Sequence, residues 1–277
     1  MAGAALRRID EIKSVYSKSH SLSCFNFNNQ SNNLAFMNLF DIISRFSLSK
    51  QFSKIRSKLW TIYFNFHYLP FKQAIRLPIV LHKPNFIKLN GTIRIEGPIT
   101  KGMIELGRHL NILYPDNGIT FENLGGEIIF RGKAKIASGS AISVGPNGRL
   151  EMGDGILATA ELRLVCYHHI CLHDDVRLGW ESVVMDTGFH RLKDMDGNFI
   201  NNGYAPIELS HNTWISSRCM VMQGAKTAPY TITASNSLIN KKYDESYVLL
   251  AGAPAVIKKR GIWRDFSDDE VIFPPLK

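Results

Sequence analysis

The chain has 277 residues, 45% apolar and 21% charged, which excludes wholesale disorder, collagen and a polytopic membrane protein. No apolar run approaches the ~20 residues that cross a bilayer. Its four cysteines (Cys24, Cys166, Cys171, Cys219) form no CxxC pair, so a disulfide scaffold is excluded and a reducing cytosol is implied. The net charge of +9 is concentrated: residues 1–101 hold 15 Lys/Arg against four Asp/Glu, whereas 102–277 hold 18 against 20. A basic arm of this kind implies an anionic partner, nucleic acid or a membrane surface.

The N-terminus has two arginines but neither the apolar region nor the cleavage site of a secretion signal. Residues 17–35 are dominated by Ser and Asn without periodicity, and 1–36 read as a disordered segment. Residues 37–85 read as a basic helical lead-in. Leu39, Ile42, Ile43 and Phe46, then Phe52, Ile55, Leu59 and Ile62, fall at helical spacing, with Lys50, Lys54, Arg56 and Lys58 between them. Two readings stay open. The apolar face packs on the chain's own domain, or it lies at a membrane surface with Trp60, Tyr63, Phe64, Phe66 and Tyr68 at the interface. No recognised nucleic-acid motif accompanies the charge.

From about Asn85 helical spacing disappears and a period of six takes over. Leu209, Ile215, Val221, Thr227, Thr233 and Ile239 keep that step, and Thr213, Cys219, Ala225, Thr231 and Ser237 fill a small-residue slot four positions after each of the first five. Upstream, Leu124, Phe130, Ile136 and Ile142 share the step. After a slip of two come Val144, Leu150, Ile156 and Leu162, and later Leu172, Leu178 and Val184. A hexad supplies one short strand and one corner, so three hexads, or 18 residues, close a triangular turn. The aliphatic residue fills the interior and the small one lets the chain bend. No turn buries its own face, so several must stack. The predicted fold is mainly β, with room for roughly eight or nine such turns, less loops, over 86–257, a helical N-terminal segment before them and a tail over 258–277.

Three strings accompany the repeat: Met185-Asp186-Thr187-Gly188-Phe189-His190, then Pro206 through Ile215, then Ala251-Gly252-Ala253-Pro254-Ala255. In this order they resemble the hexapeptide-repeat acyltransferases, which fold as a left-handed parallel β-helix. The closest texture is that of O-acetyltransferases of bacterial capsule, exopolysaccharide or O-antigen synthesis. Departures are Ser210 and Ser216 where the family has Gly, and Val256 where it has Lys. The resemblance implies acetyl-CoA as co-substrate, direct transfer to a sugar hydroxyl, a cytoplasmic homotrimer and no metal.

Transfer to a hydroxyl needs a base, and a neutral imidazole suits the task near neutral pH. His190, at the start of the polar insertion 191–205, is the candidate base, with Asp186 as a candidate to orient or stabilise its imidazolium. The matching strings imply coenzyme contacts at Ser217, Gly224, Ser235, Asn240, Lys241 and Lys259. Trp214 lies either beside the acceptor groove or in lateral packing between subunits. Cys219, in the small slot, reads as a corner residue. The string Cys166-Tyr167-His168-His169-Ile170-Cys171-Leu172-His173 holds five potential zinc ligands, but no CxxC accompanies them, and successive side chains of a strand face opposite sides, which separates His168 from His169. Amino-sugar N-acetylation and a non-catalytic β-helix scaffold or metal-binding protein are the competing readings.

Overall fold

The six-residue period winds into a three-sided coil. In a computed structural model, residues 53–267 together with 271 and 273 are described. The segment 1–36 and the expected helical start at Met37 lie outside them. Strands β1 (Ile79–Leu81), β2 (Pro84–Leu89) and β3 (Thr92–Ile95) open the coil, and later strands fall in turn on the same three sides. Sheets 1, 2 and 3, begun by these strands, contain nine, seven and seven strands among the described residues. All pairings between these strands but the last are parallel, and the chain is mainly β, a parallel β-helix with a helical lead-in.

The repeat residues go where their size directs them. Leu209, Ile215, Val221, Thr227, Thr233 and Ile239 are fully buried inside the prism, and Thr213, Cys219, Ala225, Thr231 and Ser237 are buried at its corners. Two interior positions are threonine, and both hydroxyls are used. Thr227 Oγ1 accepts the Ser210 amide at 3.1 Å, and Thr233 Oγ1 accepts the Ser216 amide at 2.9 Å. Corner amides that face inward are thereby satisfied without water. Each filled aliphatic slot contributes about 1.5–3 kcal/mol by leaving water.

The turns are not uniform. In sheet 2, Phe121, Ile142, Leu164, Val184, Val221 and Ile239 stack in register at intervals of 21, 22, 20, 37 and 18 residues. Only the last interval is the expected 18. The two-residue slip has a direct cause: β8 (Ser140–Val144) is five residues long and turns Ser140, Ile142 and Val144 inward together. Leu124 is a correction. It sits half-buried beyond β5 (Ile119–Asn123), whose inward residues are Ile119, Phe121 and Asn123. Longer turns and the insertion leave seven strands in sheets 2 and 3 among the described residues, where the length without loops has room for eight or nine turns. Strands run from Ile79 to Arg260, slightly beyond the expected 86–257 at both ends.

Each end of the coil is closed by its own device. Helix α1, which covers 53–68 of the described residues, spans the N-terminal end, followed by the single turn α2 (Phe71–Ala74). Phe64 is fully buried and stacks on Phe86 at 5.6 Å and edge-on to Phe121 at 5.3 Å. On the same face Ser57, Thr61 and Asn65 treat the open edge of β1 as a partner strand would. The amides of Lys83, Leu81 and Ile79 donate to Ser57 Oγ, Thr61 Oγ1 and Asn65 Oδ1 at 3.0, 3.0 and 3.1 Å, and Asn65 Nδ2 donates to the Ile79 carbonyl at 2.7 Å. An otherwise bare strand edge is covered. Ile55, Leu59 and Ile62 consequently face away from the coil, which corrects the reading that this apolar face packs on its own domain. At the other end β22 (Val248–Gly252) and β23 (Ala255–Arg260) pair antiparallel and finish sheet 1.

Candidate active site

The insertion leaves the coil at the edge between sheets 2 and 3, between β14 (Val183–Met185) and β15 (Ile207–Leu209). Its two stems are tied at the base. Gly188 N–H donates to the Gly203 carbonyl at 2.8 Å, Thr187 Oγ1 donates to the same carbonyl at 3.0 Å, and Ala205 N–H donates to the Asp186 carbonyl at 3.0 Å. Two aromatic pairs press this clasp onto the preceding turn: Tyr167 meets Phe189 at 5.0 Å and His168 meets Tyr204 at 4.6 Å. Further out, Asp194 accepts the amides of Asp196 and Asn198, and Arg191 lies over the Phe199 ring. The clasp carries His190 with its side chain exposed, and no described residue hydrogen-bonds to its imidazole.

Asp186 has a different task from the one expected. It is fully buried, and its carboxylate oxygens accept the backbone amides of Tyr167 and His168, both at 2.8 Å. No hydrogen bond or ion pair joins it to His190 among the described residues. Two oriented N–H dipoles compensate the burial of its carboxyl group. Asp186 therefore fixes the corner on which the clasp rests. The same string clarifies the cysteines. Burial, with the Asp186 charge beside it, pushes the Cys166 thiol up, away from the thiolate that a metal ligand requires. His169 pairs with Glu151 at 3.0 Å and His173 with Glu208 at 3.2 Å. Among the described residues no group of three or more His, Cys, Asp or Glu is arranged to hold a metal ion. Cys219 is buried at its corner, with Sγ 3.2 Å from the Ala234 carbonyl.

The remaining candidates separate into two groups. Gly224, Asn240 and Lys241 lie along the same sheet 2–sheet 3 edge as His190. Gly224 has a positive φ of 81° and room beside it, since a Cβ there would lie 3.8 Å from Ala205. Asn240 and Lys241 are exposed, and Lys241 reaches over Tyr243 at 5.6 Å. Ser217 and Ser235 lie instead on the edge between sheets 1 and 2, and the exposed Lys259 lies on β23 in sheet 1. Trp214, on β16 (Trp214–Ile215), also belongs to sheet 1. It is half-buried between Arg177 and Ile232 in register, with the Arg264 guanidinium 4.3 Å above its ring. In a three-sided prism the edge between sheets 2 and 3 stands opposite sheet 1. His190 and Trp214 of one chain are thus separated by the coil's own core.

Sequence reasoning missed Tyr167 and His168, which support the clasp, and Arg264, which covers Trp214. The first two lie in the His-rich string read there for metal. A corner two residues long, directly preceding the insertion in the stack, is the signal that identifies them.

No protein-family model matches the chain, and no curated protein matches its sequence. Solved structures with a similar shape are acetyltransferases, the class that the sequence strings resemble. The polysialic-acid-specific acetyltransferase NeuO is 17% identical over 70% of this chain and 83% of its own, with a TM-score of 0.46. The polysialic acid O-acetyltransferase OatWY is 15% identical over 68% and 76%, with a TM-score of 0.42. A hexapeptide-repeat acetyltransferase from Vibrio cholerae, complexed with acetyl-CoA, is 13% identical over 78% and 89%, with a TM-score of 0.29.

Proposed function

We propose that the chain is an acetyl-CoA-dependent O-acetyltransferase that modifies a sugar hydroxyl in surface-glycan synthesis, working in the cytoplasm as a homotrimer. The observation that supports this most is the placement of His190. A solvent-facing imidazole with no internal partner stands on a clasp tied by hydrogen bonds, ring contacts and a buried carboxylate. In this reading a neutral ring nitrogen takes the acceptor's hydroxyl proton as the oxygen attacks the thioester carbon. The C–S bond then breaks, and the proton passes to the departing sulfur.

The division of the candidates over two sides of the prism favours a site built from two chains. The sheet 2–sheet 3 edge of one chain would bring His190, Gly224, Asn240 and Lys241. Sheet 1 and its edge on a neighbour would bring Trp214, Ser217, Ser235 and Lys259. Lys241 and Lys259 then meet the coenzyme's phosphates as point charges.

The test is a pair of variants. His190→Ala should lower turnover by at least ~10²-fold while acetyl-CoA still binds. Trp214→Ala should be impaired on its own, yet co-expression with His190→Ala should restore part of the activity, because mixed trimers contain one interface with both residues intact. Near-normal turnover of His190→Ala removes the base, and an active monomer in light scattering removes the shared site.

A further inference from the structure

Helix α1 is amphipathic in the reverse sense. Its polar residues Ser57, Thr61 and Asn65 face the coil, where they hydrogen-bond to the edge of β1. Phe64 is buried beside them, with Trp60 and Tyr68 packed against the core, but the remaining aliphatic and aromatic residues face out. Ile55, Leu59, Ile62 and Phe66, at steps of four, three and four, are 51, 63, 46 and 46% exposed, and Phe71 and Ile75 just beyond are 70 and 60% exposed. Lys54, Arg56, Lys58, Lys72 and Arg76 border this stripe, all exposed. None of Lys54, Arg56, Lys58 or Lys72 has an ion-pair partner among the described residues. No acidic residue occurs from 53 to 95; the first is Glu96.

We infer that the outer face of α1 and α2 docks on an anionic lipid bilayer, with Leu59, Ile62 and Phe66 entering the headgroup boundary and the bordering cations on acidic headgroups. The charge pattern selects this occupant. A second copy laid on the stripe would set Lys54, Arg56 and Lys58 against their own kind, with no acid between 53 and 95 to relieve them. An anionic surface satisfies the cations and covers the apolar residues in one step. No helix among the described residues is long and apolar enough to span the bilayer, so the contact is peripheral. The docking rests on α1 and α2 alone and stands whether or not the proposed chemistry does. In a cyclic trimer with parallel coils, three such faces would share one end and act together.

The test uses the full-length chain, sedimented with phosphatidylcholine vesicles that contain or lack phosphatidylglycerol. Binding is expected to the anionic vesicles, with release as salt rises. The combined Lys54→Gln, Arg56→Gln, Lys58→Gln variant should bind ~10²-fold more weakly. Ile62→Ser with Phe66→Ser should also lose binding at low salt. Both changes lie on the exposed face, and an unchanged unfolding midpoint confirms that the fold persists. Failure of the unaltered chain to bind at low salt overturns the inference. So does full binding by both variants, which would place the contact elsewhere in the chain. A changed oligomeric state of the serine variant with vesicle binding intact overturns it too, because the face would then join copies of the chain. Acetyl transfer to a soluble acceptor, measured in parallel, separates loss of docking from loss of the proposed activity.

Discussion

Gly203 closes against the backbone of His190. Its φ is +77°, and a Cβ there would stand 2.9 Å from the His190 carbonyl oxygen. Alanine would add a conformational strain of about 1–2 kcal/mol and push the two stems of the clasp apart. Gly203→Ala should therefore lower turnover by ~10-fold or more while the unfolding midpoint moves little. Paired rate and melting measurements check it, and an unchanged rate would show that the clasp does not set the position of His190. At this scale the sequence was legible in identity and less so in role. Asp186 is near His190 in sequence, but its partners are the amides of Tyr167 and His168, one turn back along the coil. A carboxylate bound to distant backbone leaves no trace in local spacing. The threonines at 227 and 233 were readable as interior by period alone, although their hydroxyls needed corner amides to make that burial tolerable.

The helical lead-in shows how an element can be recognised while its orientation is misread. Apolar spacing over Ile55, Leu59 and Ile62 announces the helix. The usual assumption that such a stripe turns inward fails because the coil presents an unpaired strand edge as well as an apolar end. Ser57, Thr61 and Asn65 fall at steps of four, which is the register needed to meet amides on alternate residues of β1 and the residues just after it. Asn65 is the centre of this seam: it is fully buried and serves both the N–H and the carbonyl of Ile79. Asn65→Ala would leave two buried backbone groups unpaired, at a cost of about 2–4 kcal/mol. A urea titration should show the midpoint fall accordingly, and a loss within error would mean that the edge does not depend on the helix.

Across the whole molecule the outward face of sheet 3 is held by charge. Glu151 lies under Arg131, Arg149 and His169. Burial alone would raise its pKa, but hydrogen bonds from Arg149, Arg131 and His169 outweigh it and bring the value from 4.5 to about 2. A depressed folded-state pKa means that the stabilisation is complete above about 4.5 and is lost as pH falls through about 2. Glu151→Gln should consequently be less stable than the parent at neutral pH, with the difference shrinking between those limits. Denaturation midpoints across that range measure it, and a constant gap would assign the effect to packing. The period of six was legible over most of the coil, because interior and corner positions accept so few residue types. The length of each turn was not, since β8 adds inward residues without breaking the alternation.

Sealed at one end by α1 and at the other by β23, the stack between them behaves as a ruler. Successive turns rise by the spacing of paired strands, about 4.8 Å. His190 follows β14, the fifth strand of sheet 2 counted from the capped end. Four such steps place its clasp about 20 Å beyond the first turn. For a chain seated on its cap helix, that is the height at which the imidazole is held above the lipid. Neither seal touches the middle turns, so removing or adding one whole turn between them would change this height by about 5 Å and leave both ends closed. Under the proposed docking, the number of turns before the insertion sets the height at which the clasp stands above the lipid.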